Sequence, residues 1–180
     1  MPIYIAMLRG INIGGKKIVR MEHLRASFEA LEFGRVRTYV QSGNVIFKAV
    51  RASPDDLSRT IAEKISKDFG FPIPVVVRTS DEIGKIVGGN PFLNETELDH
   101  SNLHITFLGA PPAKNAKERI DALNAGPDQF RIKGREIYLH CPDGYGRTKL
   151  SNNAIEKALS VGATTRNWKT VSTLARISSE

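Results

Sequence analysis

The sequence predicts an α+β protein made of two tandem ferredoxin-like (βαββαβ) plaits. Apolar runs of strand length alternate with stretches of helical periodicity, and over residues 1–79 they follow the order β-α-β-β-α-β. The same order recurs over residues 103–180, which predicts a second plait with a C-terminal helix. Residues 80–102 are expected to hold a connecting helix and loop.

Each element has a local reason. Ile3 to Arg9 alternates so that Ile3, Ile5 and Met7 point one way and Tyr4, Ala6 and Leu8 the other; both sets are mostly apolar, so the strand is central. Met21, Leu24, Phe28 and Leu31 recur at helical spacing, and Gly34 is expected to stop that helix. Val36 to Gln41 and Asn44 to Lys48 read as strands joined at Ser42-Gly43. Ser53-Pro54-Asp55-Asp56 is a helix start: a capping serine, proline at the first helical position, and two carboxylates at the positive end of the dipole. Leu57, Ile61, Ile65 and Phe69 form the apolar face of that helix, and Pro72 and Pro74 bracket the turn into the strand Val75 to Arg78.

The second half follows a helix near Asp81 to Val87 and a loop through Pro91. Leu103 to Leu108 is a strand, Ala116, Ile120 and Leu123 mark a helix, and strands Gln129 to Lys133 and Glu136 to Cys141 meet at Gly134-Arg135. A helix around Ile155, Ala158 and Leu159, a short strand near Thr164 to Arg166 and a last helix bearing Trp168, Val171 and Leu174 complete the repeat.

At 180 residues with 41% hydrophobic content, the chain is long enough to bury a core. Its longest apolar runs are strand-sized, so no membrane segment is expected, and Arg9 interrupts the N-terminal apolar stretch too early for a secretory signal. The single cysteine excludes an internal disulfide, which fits a reducing, cytoplasmic setting. A formal net charge of +7 favours anionic partners, although the basic residues are scattered along the chain.

Two glycine-bearing loops, RGINIGGKK (Arg9 to Lys17) and TYVQSGNVIF (Thr38 to Phe47), each adjoin a strand. Gly10 to Lys16 has P-loop spacing, but Lys17 stands where a magnesium-holding Ser or Thr belongs, so a nucleotide hydrolase is not predicted. A looser site is: Gly14 and Gly15 can expose backbone amides, with Arg9, Asn12, Lys16 and Lys17 around them. In a plait the first and third strands are antiparallel neighbours, which would bring Gln41, Ser42 and Asn44 to the same rim. The competing expectation is that these polar groups only satisfy one another across two turns.

Further donors precede the last two helices: Arg147, Lys149 and Asn152 before one, Arg166 and Asn167 before the other, where a helix N-terminus favours an anion. Ser151 and Asn167 could equally be plain N-caps. Cys141 shares strand parity with Ile137 and Leu139, so it is expected as inert core despite following His140. If Ile105 lies opposite Leu139, His104 would face His140 and Thr106 would face Tyr138, without the extra ligands a metal needs.

The stretches RGINIGG, RTYVQSGNVIF, GRTKLSNNAIEK and TTRNWKTVSTL, in this order along the chain, resemble the motifs of the bacterial domain-of-unknown-function family 1697. The resemblance implies two ferredoxin-like subdomains and a bacterial cytoplasmic origin, and it implies no activity. Ile3-Tyr4-Ile5-x-x-Leu8 is also similar to the shorter RNA-contact motif of RNA-recognition plaits, but Asn44 stands where the second stacking aromatic belongs, and Tyr4 is expected in the core between the subdomains.

The leading expectation is a protein that binds an anionic ligand, nucleic acid or a nucleotide phosphate, in a basic glycine-rimmed cleft, with no metal, cofactor or membrane partner. An enzyme acting on a phosphorylated or carboxylated metabolite and a protein-interaction module remain alternatives, since no catalytic set of carboxylates, nucleophile or metal ligands is visible.

Overall fold

The computed structural model describes residues 1–95, 97–124 and 126–180. In chain order its strands and α-helices are β1 (Ile3–Leu8), α1 (Met21–Glu29), β2 (Gly34–Tyr39), β3 (Asn44–Lys48), α2 (Pro54–Phe69), β4 (Val75–Thr79), α3 (Ser80–Gly88), β5 (Leu103–Leu108), α4 (Ala116–Asp121), β6 (Gln129–Lys133), β7 (Glu136–His140), α5 (Asn152–Leu159), β8 (Ala163–Asn167) and α6 (Trp168–Ser178). The fold is mixed α+β with two four-stranded antiparallel sheets, ordered β2-β3-β1-β4 and β6-β7-β5-β8. The chain divides into two compact units, one of Met1–Gly84 together with Leu174–Glu180, the other of Lys85–Thr173. Ser178 belongs with the first because the Ser80 hydroxyl donates to its carbonyl at 3.1 Å and lies 2.9 Å from its Oγ.

In the first unit, strand parity puts Tyr4, Ala6 and Leu8 on one face of β1, where they join Val45, Phe47, Val75 and Val77. Onto this face α1 lays Leu24 and Phe28, and α2 lays Leu57, Ile61 and Ile65. Tyr4 is core here, beneath the helices and stacked 5.7 Å from Phe47, and not between subdomains as expected. Its hydroxyl donates to the Ala52 carbonyl at 3.0 Å and accepts from the Ala52 amide at 3.1 Å, so it presents no ring for a base.

The helix signals act as the sequence indicates at α2, where the Ser53 side chain accepts from the Asp56 amide and Pro54 is the first helical residue. At α1 the expected stop is wrong. The helix closes at Ala30, Glu32 takes the left-handed conformation (φ 62°), and Gly34 instead opens β2. Helix α3 follows β4 without a loop because Thr79 and Glu82 cap each other: Glu82 accepts from the Thr79 amide at 2.7 Å, and Thr79 Oγ1 from the Glu82 amide at 3.1 Å.

The second unit repeats the sheet order, and its core gathers Leu108, Ile120, Ile137, Leu139, Cys141, Leu150, Ile155 and Leu159. The repeat extends to the hydrogen bonds where the central strand leaves its sheet. Leu8 and Leu108 donate to the carbonyls of Gly43 and Arg135, each at 2.8 Å, and Arg9 and Gly109 donate to Pro74 and Gly162 at 3.0 and 2.7 Å. The expected pairing of β5 with β7 is off by one residue: His104 lies opposite Leu139, Ile105 opposite Tyr138, Thr106 opposite Ile137 and Leu103 opposite His140. His104 and His140 therefore point to opposite faces, and the histidine pair does not exist.

Candidate functional site

The first glycine loop is a small hairpin. The Asn12 amide donates to the Lys17 carbonyl at 3.1 Å and the Lys16 amide to the Ile13 carbonyl at 3.0 Å, so Gly14 and Gly15 are its two turn residues. Both sit at positive φ, 59° and 74°, which a two-residue hairpin turn of this hand requires. No phosphate cradle of the P-loop kind forms, since the Lys16 amide is turned onto Ile13 and the helix begins only at Met21. Every residue from Ile13 to Ile18 is exposed, and the two isoleucines stand 67% and 58% open to solvent.

The base of this turn is fixed by Asn12. Its side-chain Nδ2 donates to the Val19 carbonyl at 3.0 Å and the Gln41 carbonyl at 2.8 Å, while its Oδ1 accepts from the Val19 amide at 2.8 Å. The two loops thus meet, as the antiparallel pairing of Met7 with Asn44 requires. They meet through groups that are spent on each other. Asn44 is fully buried, with Nδ2 donating to the Tyr39 carbonyl at 2.9 Å and to Ser42 Oγ at 3.1 Å. Arg9 is half-buried at the strand end, and the Gln41 side chain is exposed. Gly14, Gly15 and Lys16 face solvent, together with Lys17. Lys16 and Lys17 form no ion pair with a described residue.

In the second unit the candidates separate likewise. Asn152 is locked beneath the start of α5: its amide donates to the Tyr145 hydroxyl at 2.8 Å, its Nδ2 to the Ala163 carbonyl at 2.9 Å, and its Oδ1 accepts from Thr165 Oγ1 at 2.9 Å. Thr165 has a single hydroxyl proton and gives it to Asn152, so Thr106, 2.8 Å away, must be the donor to Thr165. Asn167 caps α6 by accepting from the Thr170 amide at 2.8 Å. Arg166 is a buried strand residue whose Nη1 donates to Thr164 Oγ1 at 2.7 Å and the Thr165 carbonyl at 3.0 Å. Burial pushes its pKa down to about 10, which leaves it charged at neutral pH. Arg147 and Lys149 are exposed, in and just after the short turn Tyr145–Arg147, and form no ion pair with a described residue.

Neither His104 nor Cys141 is poised for chemistry. The His104 ring stacks 4.7 Å from Tyr145, and burial lowers its pKa, holding it neutral. Burial likewise pushes the Cys141 thiol up to about 11. Among the described residues, no three His, Cys, Asp or Glu side chains gather to hold a metal ion, and no helix is long and apolar enough to cross a membrane. Ile13, Ile18 and Val40, which the sequence pattern did not mark as candidates, are all exposed around the joined loops. Two isoleucines flanking a glycine pair, with no partner periodicity, were the available signal.

The sequence profile of a family described as Protein of unknown function (DUF1697) matches residues 1–138, which includes both glycine loops; GRTKLSNNAIEK and TTRNWKTVSTL lie beyond it. No curated protein matches the chain. Among solved structures, conserved bacterial protein SP0830 from Streptococcus pneumoniae is similar at 19% identity with a TM-score of 0.75, covering 98% of this chain and 98% of that one.

Proposed function

Starting from the fact that the chain belongs to the DUF1697 family of proteins of unknown function, we propose that it is a polyanion-binding protein whose contact element is the Asn12–Lys17 turn, with nucleic acid as the ligand class. The observation that carries this reading is the stapled base of the turn: Asn12 spends its side chain on Val19 and Gln41, and Lys16 and Lys17 are left in solvent on a fixed backbone. Fixed, unpaired cations suit a phosphate backbone, because releasing its counterions requires charge more than shape. A row of residues exposed from Ile13 to Ile18 encloses nothing, which argues against a buried nucleotide. Arg147 and Lys149 are a second exposed pair with the same chemistry.

The same proposal reads each unit as a ferredoxin-like plait, supported by the shared order with β1 or β5 inside its sheet and, in the first unit, by α1 and α2 on one face. A bacterial cytoplasmic setting is supported by the unpaired cysteine and by the likeness to a bacterial protein.

Oligonucleotide binding across a salt series tests the reading. Lys16→Ala with Lys17→Ala should weaken binding at every sequence and flatten the log-log salt slope by ~0.7 to 0.9 per lost contact. An unchanged slope, or no binding at low salt, would remove nucleic acid as the ligand. The exposure of Ile13, Ile18 and Val40 favours a second reading, a protein-interaction element on the same loops. That reading predicts that Ile13→Ser with Ile18→Ser abolishes capture of a protein partner while the salt slope for oligonucleotides stays as in the parent.

A further inference from the structure

In the second unit a cleft of about 520 Å³ runs beside β6, lined by Pro112, Ala116 and Lys117 on one side and by Phe130 to Lys133 on the other. Strand parity says what part of β6 it touches. Phe130 and Ile132 point to one face and Arg131 and Lys133 to the other, so a cleft that reaches all four follows the outer edge of the strand, not either face. That edge is the end of its sheet, where half of the backbone donors and acceptors of β6 have no neighbouring strand.

The charged residues that line the cleft are of one sign. Lys114, Lys117, Arg131 and Lys133 line the cleft, and none of the lining residues is acidic. Several of these cations are also held in place. Arg131 donates to the Phe130 carbonyl at 2.9 Å and lies 5.2 Å over the Phe92 ring, Lys133 donates to the Gly89 carbonyl at 2.8 Å, and Lys117 pairs with Asp121 at 2.7 Å while lying 6.0 Å over Phe130. Phe130, Ile132, Pro112 and Ala116 supply an apolar floor between them.

We propose that this edge is a docking site for an acidic, extended peptide segment of a partner protein, which adds as a strand beside β6. Main-chain pairing would take up the outward amide and carbonyl of Ile132 and the outward amide of Phe130, whose carbonyl Arg131 already holds; alternate apolar side chains would fall on Phe130 and Ile132, and carboxylates would meet the cations. Lysine and arginine on an edge strand also deter unwanted pairing, and the same charges that repel a basic or neutral strand admit an acidic one.

The test titrates the isotope-labelled full chain with three short blocked peptides: alternating glutamate and valine, its lysine-for-glutamate counterpart, and the glutamate peptide N-methylated at alternate amides. The first alone should shift the backbone amide resonances of Phe130 to Lys133. The double variant Lys114→Glu with Lys133→Glu, one change on each wall, should keep the parent spectrum elsewhere and bind the glutamate peptide about tenfold more weakly. No shift with the glutamate peptide at millimolar concentration overturns the proposal. Equal binding of the N-methylated peptide overturns strand addition, and an oligonucleotide that shifts the same amides more strongly than the peptide reassigns the edge to nucleic acid.

Discussion

The side-chain amide of Asn12 donates to the Gln41 carbonyl at 2.8 Å, and through this bond the two glycine loops of the first unit become one structure. The same side chain satisfies both the amide and the carbonyl of Val19, whose side chain is core. Asn12→Ala therefore removes three hydrogen bonds at once and leaves alanine at a φ of 54°. We expect a loss of ~2 to 3 kcal/mol in urea unfolding, and a loss under about 0.5 kcal/mol would show that the staple is dispensable.

Two glycines in these loops should respond very differently to alanine. A β-carbon on Gly43 would stand 2.6 Å from Ile11 Cδ1 and 3.0 Å from Leu8 Cβ, at a φ of 85°; one on Gly14 meets nothing within 4 Å, at a φ of 59°. Gly43→Ala combines crowding with backbone strain and should cost roughly 3 kcal/mol. Gly14→Ala carries only the strain, about 1 kcal/mol. Comparable melting temperatures for the two variants would contradict this ranking.

Cys141 should be chemically silent in the folded protein. With its pKa raised to about 11, only about one thiol in a thousand is ionised at pH 8, and its sulfur is also buried. Iodoacetamide should label it slowly under native conditions and readily in urea. Rapid native labelling would mean that the core around it opens.

Stability should fall on mild acidification, in part through His104. Burial holds its folded pKa below the ordinary 6.5, so as pH drops through 6.5 the unfolded chain binds the proton first and gains stability relative to the fold. The loss continues down to the folded pKa and then stops. His104→Gln should flatten the unfolding free energy between about pH 7 and pH 5, and an unchanged slope would assign the dependence to other groups.

Local chemistry made most of the fold legible. The start of α2 follows from a Ser-Pro cap and the span of β3 from its apolar run, signals that lie within a few residues of what they specify; the expected tight hairpin at Ser42-Gly43 is instead a four-residue turn, because β2 ends at Tyr39, which pairs with Asn44. The β5–β7 register was not legible, because the Gly134-Arg135 turn sets β7 against β6 while no turn links β7 to β5. Gly34 misled for a related reason: the left-handed residue after α1 is Glu32, and sequence does not show which residue will bear that conformation. The site was legible as a meeting of loops, since antiparallel pairing dictates it. Which of its side chains stay available was not. Asn12, Asn44 and Asn152 have the same amide whether it serves a ligand or the chain's own carbonyls, and only the folded backbone shows that all three are spent on the chain, Asn44 in full burial and the other two half-buried.

The shielding of Cys141 has a use at the bench. Because the chain holds one cysteine and its sulfur is withdrawn from solvent, a cysteine placed at Lys16 would be the sole reactive thiol, so the native protein needs no cysteine-free background. A fluorophore or spin label attached there would ride on a turn whose backbone is pinned by Asn12, and its signal would report what touches the turn more than motion of the turn itself.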